Sequence, residues 1–106
     1  MKIKADIATA HSLLNDPKPD GIIVESAADS ATKAFSLSVN LNITVDLAKI
    51  AAPIVSSWIL SRAITSIGRG VNVDVNGKRL PPEEAEASKM IIDAIHDEEK
   101  KKDTSQ

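Results

Sequence analysis

Residues 35–45 read FSLSVNLNITV, and this stretch decides the fold class. Apolar residues occupy every second position from Phe35 to Val45, and serine, asparagine or threonine fills each position between them. Side chains two positions apart point the same way on a strand but to nearly opposite sides of a helix. The alternation therefore predicts a β-strand with one buried face, and its uncharged polar face is expected to meet solvent or a partner.

The apolar segment that follows this strand predicts a buried helix. Apolar residues cover most of the helical circumference from Leu47 to Ile67, and Gly68 is expected to cap the C-terminus in the left-handed conformation. Asp46 stands where an N-cap belongs, but Pro53 lies inside the segment. The helix therefore either begins near Leu47 and kinks at Pro53, or begins near Pro53. One sheet covers only one side of such a helix, so the C-terminal helix or a second subunit must cover the rest.

The flanking sequence predicts the remaining elements. Residues 1–7 alternate as a strand with Ile7 on its buried side, and residues 8–15 form a short helix that the following prolines end. The β-branched run 22–24 predicts a strand buried on both faces. Asn76-Gly77 is a strong hairpin signal.

The end of the chain predicts a third helix. Pro82 and the acidic residues after it suit a helix N-terminus, and three lysines suit the end of the helix at residue 102. The order of elements predicts an α+β fold, namely a ferredoxin-like two-layer sandwich (βαββαβ) with a C-terminal hairpin arm and a third helix. We expect a single domain of residues 1–102 and a disordered tail of residues 103–106.

The composition excludes several classes of protein. The chain has 106 residues, a net charge of -2 and no cysteine, so it has room for one core but for no disulfide or cysteine-held metal. Its 13 basic residues against 15 acidic ones argue against a nucleic-acid partner. The apolar stretch 50–61 is shorter than the about 20 residues of a membrane span, and no apolar run near the N-terminus is typical of a signal peptide. We expect a cytoplasmic protein without a cofactor, a nucleic-acid partner or a membrane partner.

No set of side chains in the sequence identifies a catalytic, cofactor-binding or metal site, and none is assigned. Asp93, His96 and Asp97 lie within about one helical turn, where they either contribute metal ligands to a metal-dependent enzyme or form a solvated helix end. The run Gly68-Arg69-Gly70 resembles part of a phosphate-binding loop, but it follows a helix instead of opening one. We interpret it as a tight turn between a helix and a strand.

The predicted partner-binding residues are Trp58, Arg62, Ser57 and Ser61. Trp58 and Arg62 lie one helical turn apart, and such a pair is typical of interface anchors. The serines are small enough to let another helix approach closely. The alternative is a core tryptophan whose neighbouring arginine caps the helix end. The expected partner is another protein, and a second copy of the chain is one candidate.

Several stretches carry a resemblance to a protein family. They are residues 12–17 (SLLNDP), 21–24 (GIIV), 51–62 with the ending WILSR, and 71–79 (VNVDVNGKR). Across residues 12–95 the sequence resembles the small effector-associated constant components of bacterial conflict systems. The resemblance implies a non-enzymatic accessory protein in a multi-gene defence or signalling locus.

Two functions follow from these observations. The first is a non-catalytic protein-interaction module that serves as an accessory or adaptor component of a bacterial defence or conflict system. The alternative is a small acidic immunity protein or phage-encoded inhibitor that occludes the active site or nucleic-acid-binding site of a partner enzyme. An inhibitor is expected to gather Asp and Glu on one exposed face, whereas an adaptor is expected to present an apolar or uncharged polar patch.

Overall fold

The computed structural model describes residues 1–27 and 38–104, with side chains described as far as Lys100. These residues form an α+β fold of three helices and five strands. The elements follow one another as β1 (Lys2–Asp6), α1 (Ile7–Asn15), β2 (Ile22–Ser26), β3 (Ser38–Val45), α2 (Ala52–Gly68), β4 (Asp74–Val75), β5 (Lys78–Arg79) and α3 (Glu84–Thr104). The predicted α+β class is thereby confirmed, and β5 and α3 extend the chain beyond a βαββαβ order.

The described strands form one antiparallel sheet in the order β2-β3-β1-β4-β5. Its inner face supplies Ile3, Leu41 and Ile43 to the core, and each of these side chains is at most 2% exposed. The residues between them, such as Lys4 and Asn42, are exposed on the outer face. The alternation predicted for residues 35–45 is therefore confirmed over β3, while Phe35 to Leu37 lie outside the described residues.

The helices lie on the inner face of the sheet, and α3 packs along α2. Val55, Ile59 and Ala63 of α2 and Ile91 of α3 are completely buried in the shared core. The hydroxyl of buried Ser56 bonds across the two helices to the Ser88 hydroxyl, at 2.9 Å. The apolar central helix was expected to be covered by the C-terminal helix or by a second subunit. The C-terminal helix α3 does pack against it. Within residues 1–27 and 38–104, no helix combines the length and apolar character of a membrane span.

Two predictions of burial are wrong, one because β1 ends at Asp6 and one because β2 lies at the edge of the sheet. Ile7 was expected on the buried side of the first strand, but it is the first residue of α1 and is 58% exposed. The Asp6 carboxylate accepts a hydrogen bond from the Thr9 N–H and so starts the helix one residue earlier. Ile23 was expected to be buried in a strand covered on both faces, but β2 lies at an edge of a sheet with one open face, and Ile23 is 57% exposed.

The start of α2 decides between the two alternatives for Pro53. The helix begins at Ala52, so Pro53 lies in the first turn, where a missing N–H costs nothing. Asp46 is therefore not the N-cap of α2. Its carboxylate accepts from the Ala48 N–H, and its carbonyl accepts from the Lys49 and Ile50 N–H groups in a separate turn.

The end of α2 is a Schellman motif, two residues beyond the glycine expected to form it. Gly68 is the last helical residue, and Gly70 takes the left-handed conformation at φ +82°. The Gly70 N–H donates to the Ile67 carbonyl and the Val71 N–H donates to the Ser66 carbonyl. The run Gly68-Arg69-Gly70 is thus a helix-to-strand turn, as predicted, and its Arg69 and Gly70 amides are used by the helix.

The C-terminal elements follow the sequence pattern closely. Asn76 and Gly77 both have positive φ and form the predicted two-residue turn between β4 and β5. Helix α3 presents Ala87, Ile91 and Ile95 to the core at helical spacing. It continues to Thr104, and residues 105–106 of the predicted tail lie outside the described residues.

Candidate protein-interaction site

Trp58, the first predicted partner-binding residue, lies at the junction of α2 and the loop after α1. Its side chain is 8% exposed, and its indole N–H donates to the Pro17 carbonyl at 3.2 Å. Buried tryptophan needs such an acceptor, because the indole N–H loses its water on burial. Within the chain Trp58 is therefore a core residue, while a role at an interface remains a prediction.

Arg62 is fixed in one orientation by four contacts. Its guanidinium carbon lies 4.4 Å from the centre of the Trp58 ring, and Nη1 donates to the Trp58 carbonyl at 3.0 Å. Nη1 also donates to the Ser61 hydroxyl at 2.8 Å, and Nε lies 3.1 Å from the Asp16 carboxylate. Stacking on an aromatic face and pairing in a fixed plane are geometries that arginine supports better than lysine. The side chain is 21% exposed, so a rigid cation reaches the surface here.

Ser61 joins this cluster, and Ser57 does not. The Ser61 hydroxyl donates to the Trp58 carbonyl at 2.8 Å while it accepts from Arg62. Ser57 is exposed one helical turn earlier and makes no hydrogen bond within the described residues. The structure thus brings three of the four predicted residues together and leaves Ser57 on the open face of α2.

The open face of α2 carries two large apolar side chains. Ile54 is 54% exposed and Ile64 is 42% exposed. Together with Ser57 and Ser61 they follow one another at intervals of three, four and three residues, which places all four on one side of the helix. We call Ile54, Ser57, Ser61 and Ile64 the outer α2 ridge. It consists of a shallow strip of serines with an isoleucine at each end.

A cleft of about 310 Å³ separates α1 from α2 beside this ridge. We call it the α1–α2 cleft, and its polar lining includes Ser12, Asp16, Ser61, Arg62, Thr65 and Arg69. The two helices are also joined here by a buried hydrogen bond between the Thr9 and Ser66 hydroxyls. Because α1 and α2 run in opposite directions, residues from the start of one meet residues from the end of the other.

Asp6 lies close to the buried hydroxyl pair. Burial by itself raises the pKa of Asp6, but the neighbouring Thr9 and Ser66 hydroxyls and the hydrogen bond from the Thr9 N–H outweigh burial, so the pKa lies below its ordinary 3.8. The carboxylate is therefore ionised at neutral pH. It serves the fold, since it is the N-cap of α1 and stands beside the junction of the two helices.

A second cavity, of about 290 Å³, lies between α3 and the β4–β5 hairpin. Its lining combines apolar Val75, Met90 and Ala94 with the carboxylates of Glu86, Asp93 and Asp97, and it also includes Lys78 and Lys89. We call it the α3 groove. The metal alternative for Asp93, His96 and Asp97 gains no support, since no three metal-binding side chains of the described residues lie close enough to share an ion.

Sequence reasoning missed the contributions of α1 to the site. Asp16 and Pro17 were interpreted only as the end of a helix, although one pairs with Arg62 and the other accepts from Trp58. Contacts between such distant positions leave no trace in a single sequence. One signal was present: Arg62, Thr65 and Arg69 are spaced by three and four residues and therefore share a helix face.

Comparisons with known proteins leave the family of this chain open. No family model matches it, and neither a curated protein nor a solved structure does. The case for its function therefore depends on the residues and geometry of the ridge, the cleft and the groove.

Proposed function

We propose that the chain is a non-catalytic protein-interaction module that binds a protein partner through the outer α2 ridge. It acts as a cytoplasmic accessory or adaptor component of a bacterial defence or conflict system, in keeping with the resemblance noted in its sequence. The observation that carries the proposal is the pair of exposed isoleucines on one face of α2, with two small serines between them.

The shape of the ridge suits a helix or a flat apolar surface. Ser57 and Ser61 keep the middle of the ridge low, so a partner helix can approach the α2 backbone closely there. Ile54 and Ile64 then contact the partner at both ends, and each gains roughly 25 cal/mol for every square ångström of apolar surface removed from water. The uncharged face also matches the surface expected of an adaptor more closely than that of an acidic inhibitor.

Arg62 and Trp58 support the same surface from the side facing α1. Arginine and tryptophan are over-represented among residues that dominate interface energetics. The four contacts of Arg62 hold its side chain in place before binding, so a partner group that pairs with it does not have to order it. Trp58 contributes through Arg62, because its own ring is nearly covered.

We also propose that residues 2–75 form a ferredoxin-like sandwich. The support is the connectivity β1-α1-β2-β3-α2-β4 together with the neighbour order β2-β3-β1-β4, in which both helices cover one face. The strand β5 and the helix α3 are additions to that unit. They leave the outer α2 ridge uncovered, because α3 packs along another side of α2.

The test is a co-purification of the tagged chain with the products of the genes adjacent to its own. Ile54→Asp and Ile64→Asp introduce a charge into the ridge, and we expect each to reduce recovery of the partner at least tenfold. Ile23→Asp is the matched control, since Ile23 is equally exposed but lies on β2. We expect that variant to recover as much partner as the native chain, and circular dichroism checks that all three variants are folded.

The same variants separate the possible outcomes. Equal recovery by the ridge variants and the native chain contradicts the proposal. If the native chain sediments as a dimer and Ile64→Asp converts it to a monomer, the partner at the ridge is a second copy of this chain. Loss of recovery with Ile23→Asp as well means that the effect is not specific to the ridge.

The second candidate function is a small acidic immunity protein or phage-encoded inhibitor. It is favoured by the α3 groove, whose lining combines apolar side chains with the carboxylates of Glu86, Asp93 and Asp97 against the two cations Lys78 and Lys89. Under this alternative Asp93→Asn combined with Asp97→Asn abolishes co-purification, while the ridge variants retain it. The two surfaces thus give opposite results in one experiment.

A further inference from the structure

Several hydrogen-bond donor groups in the α1–α2 cleft have no acceptor among the described residues. The Nη1 group of Arg62 donates to the Trp58 carbonyl and the Ser61 hydroxyl, whereas Nε forms an ion pair with Asp16 without a hydrogen bond and Nη2 donates to nothing. The hydroxyls of Ser12 and Thr65 and the guanidinium of Arg69 likewise make no hydrogen bond within residues 1–27 and 38–104. Ser12 is half-buried and Thr65 is exposed, so both hydroxyls are accessible to a group that enters the cleft.

The positions of these donors are set by rigid elements. Arg62 and Thr65 lie on one face of α2, Arg69 is the C-cap residue directly after that helix, and Ser12 lines the same cleft from α1. Arg62 is held on Trp58, and the hydrogen bond between Thr9 and Ser66 fixes the two helices against each other. A group that enters the cleft therefore meets donors from both helices without having to order them.

The charges in the cleft indicate the ligand. The lining contains the cations Arg62 and Arg69 and the anion Asp16, which pairs with Arg62. Asp6 lies outside the lining, and its carboxylate stays ionised. The guanidinium of Arg69 makes no ion pair within residues 1–27 and 38–104, so the lining itself leaves one cation unpaired.

We propose that the α1–α2 cleft binds the carboxylate of an aspartate or glutamate side chain carried by a partner protein. One carboxylate oxygen accepts from Arg62 Nη2 and the other from Arg69, with the hydroxyls of Ser12 and Thr65 completing the site. A carboxylate provides two oxygens with about four acceptor positions, which this number of donors fills. That a partner protein carries this carboxylate rests on the proposed interaction function, but the affinity of the cleft for a carboxylate can be measured without a partner.

The probe is N-acetyl-glutamate methylamide, titrated at low ionic strength into the labelled native chain while backbone amide and arginine Nε–H signals are followed by NMR. We expect saturable shifts for Ser12, Thr65, Arg62 and Arg69. Arg69→Gln is expected to weaken binding about tenfold, the change that loss of one charge-assisted hydrogen bond produces. Arg79→Gln is the matched control, because Arg79 is exposed on β5 outside the cleft, and we expect it to bind like the native chain.

Three results overturn the inference. The first is an equal response to the neutral analogue N-acetyl-glutamine methylamide, since it carries no charge. The second is unchanged affinity in a folded Arg69→Gln variant. The third is saturation by inorganic phosphate with no response to the glutamate probe, which assigns the cleft to a phosphate instead. Because no partner is present in this titration, its failure is independent of the result with the ridge variants.

Discussion

Asp6 links the chemistry of a single carboxylate to the stability of the whole chain. It caps α1 and lies beside the Thr9 and Ser66 hydroxyls that join α1 to α2. Its pKa in the folded state lies below the ordinary 3.8, so the folded chain binds this proton less readily than the unfolded chain. The ionised carboxylate therefore stabilises the fold above that pH, and the contribution disappears as the pH falls through the lowered pKa.

The variant Asp6→Asn tests this argument, because it keeps a capping side chain and removes the charge. We expect the native chain to be the more stable one at neutral pH, and the difference in unfolding free energy to shrink as the pH falls below about 3.8. Urea titrations followed by Trp58 fluorescence over a pH series measure it. Asp6→Ala, which also removes the cap, is expected to cost about 1 kcal/mol at neutral pH. A difference between native and Asp6→Asn that is constant down to pH 2.5 contradicts the assignment.

The candidate site shows what one sequence reveals about individual residues. Trp58, Ser61 and Arg62 were found from composition and helical spacing, which are local properties. Asp16 was not found, because its pairing with Arg62 depends on how α1 and α2 pack against each other. Whether a tryptophan anchors a partner or fills its own core also depends on packing, so the sequence left both alternatives open.

The elements differ in how strongly their sequences determine them. The strand β3 and the Asn76-Gly77 hairpin were predicted correctly because strict alternation and a turn that requires positive φ leave few other conformations. The boundaries of α2 were less certain, because Asp46 and Gly68 each suit a cap. Pro53 determines where α2 begins, because proline is tolerated in the first turn of a helix. Gly70 determines where α2 ends, because glycine has no side chain to oppose positive φ.

Helix α2 begins without a side-chain cap, and this predicts a stabilising substitution. Ala51 occupies the N-cap position with extended φ and ψ of -79° and 146°, but it has no oxygen to accept from the first turn. Ala51→Ser supplies that acceptor, and we expect the unfolding free energy to rise by about 1 kcal/mol. Ala48→Ser is the matched control, since Ala48 is also exposed but lies in the preceding turn. Equal effects of the two changes in thermal or urea unfolding argue against a capping role.

At the scale of the whole molecule, α3 buries a side of the apolar central helix α2 that the sheet does not cover. The sheet covers one side of α2, α1 covers a second and α3 a third, while the outer α2 ridge remains exposed, as do Pro53, Thr65 and Gly68. The sequence showed that a cover was needed but not which part of the chain provides it. That choice depends on α3 folding back along α2, which the pattern of α3 allows without specifying.

The shared core of α2 and α3 predicts that the chain unfolds as one cooperative unit. Ile91 of α3 is completely buried, so Ile91→Ala leaves a cavity and is expected to cost about 2 to 5 kcal/mol, whereas Ile92→Ala, at a half-buried neighbour, is expected to cost less than half as much. Trp58 reports on the junction of α1 and α2, and far-ultraviolet circular dichroism reports on all elements. Because one core joins them, Ile91→Ala should shift both urea transitions to the same lower midpoint. If only the dichroism transition moves, α3 is an independent appendage and α2 requires a different cover.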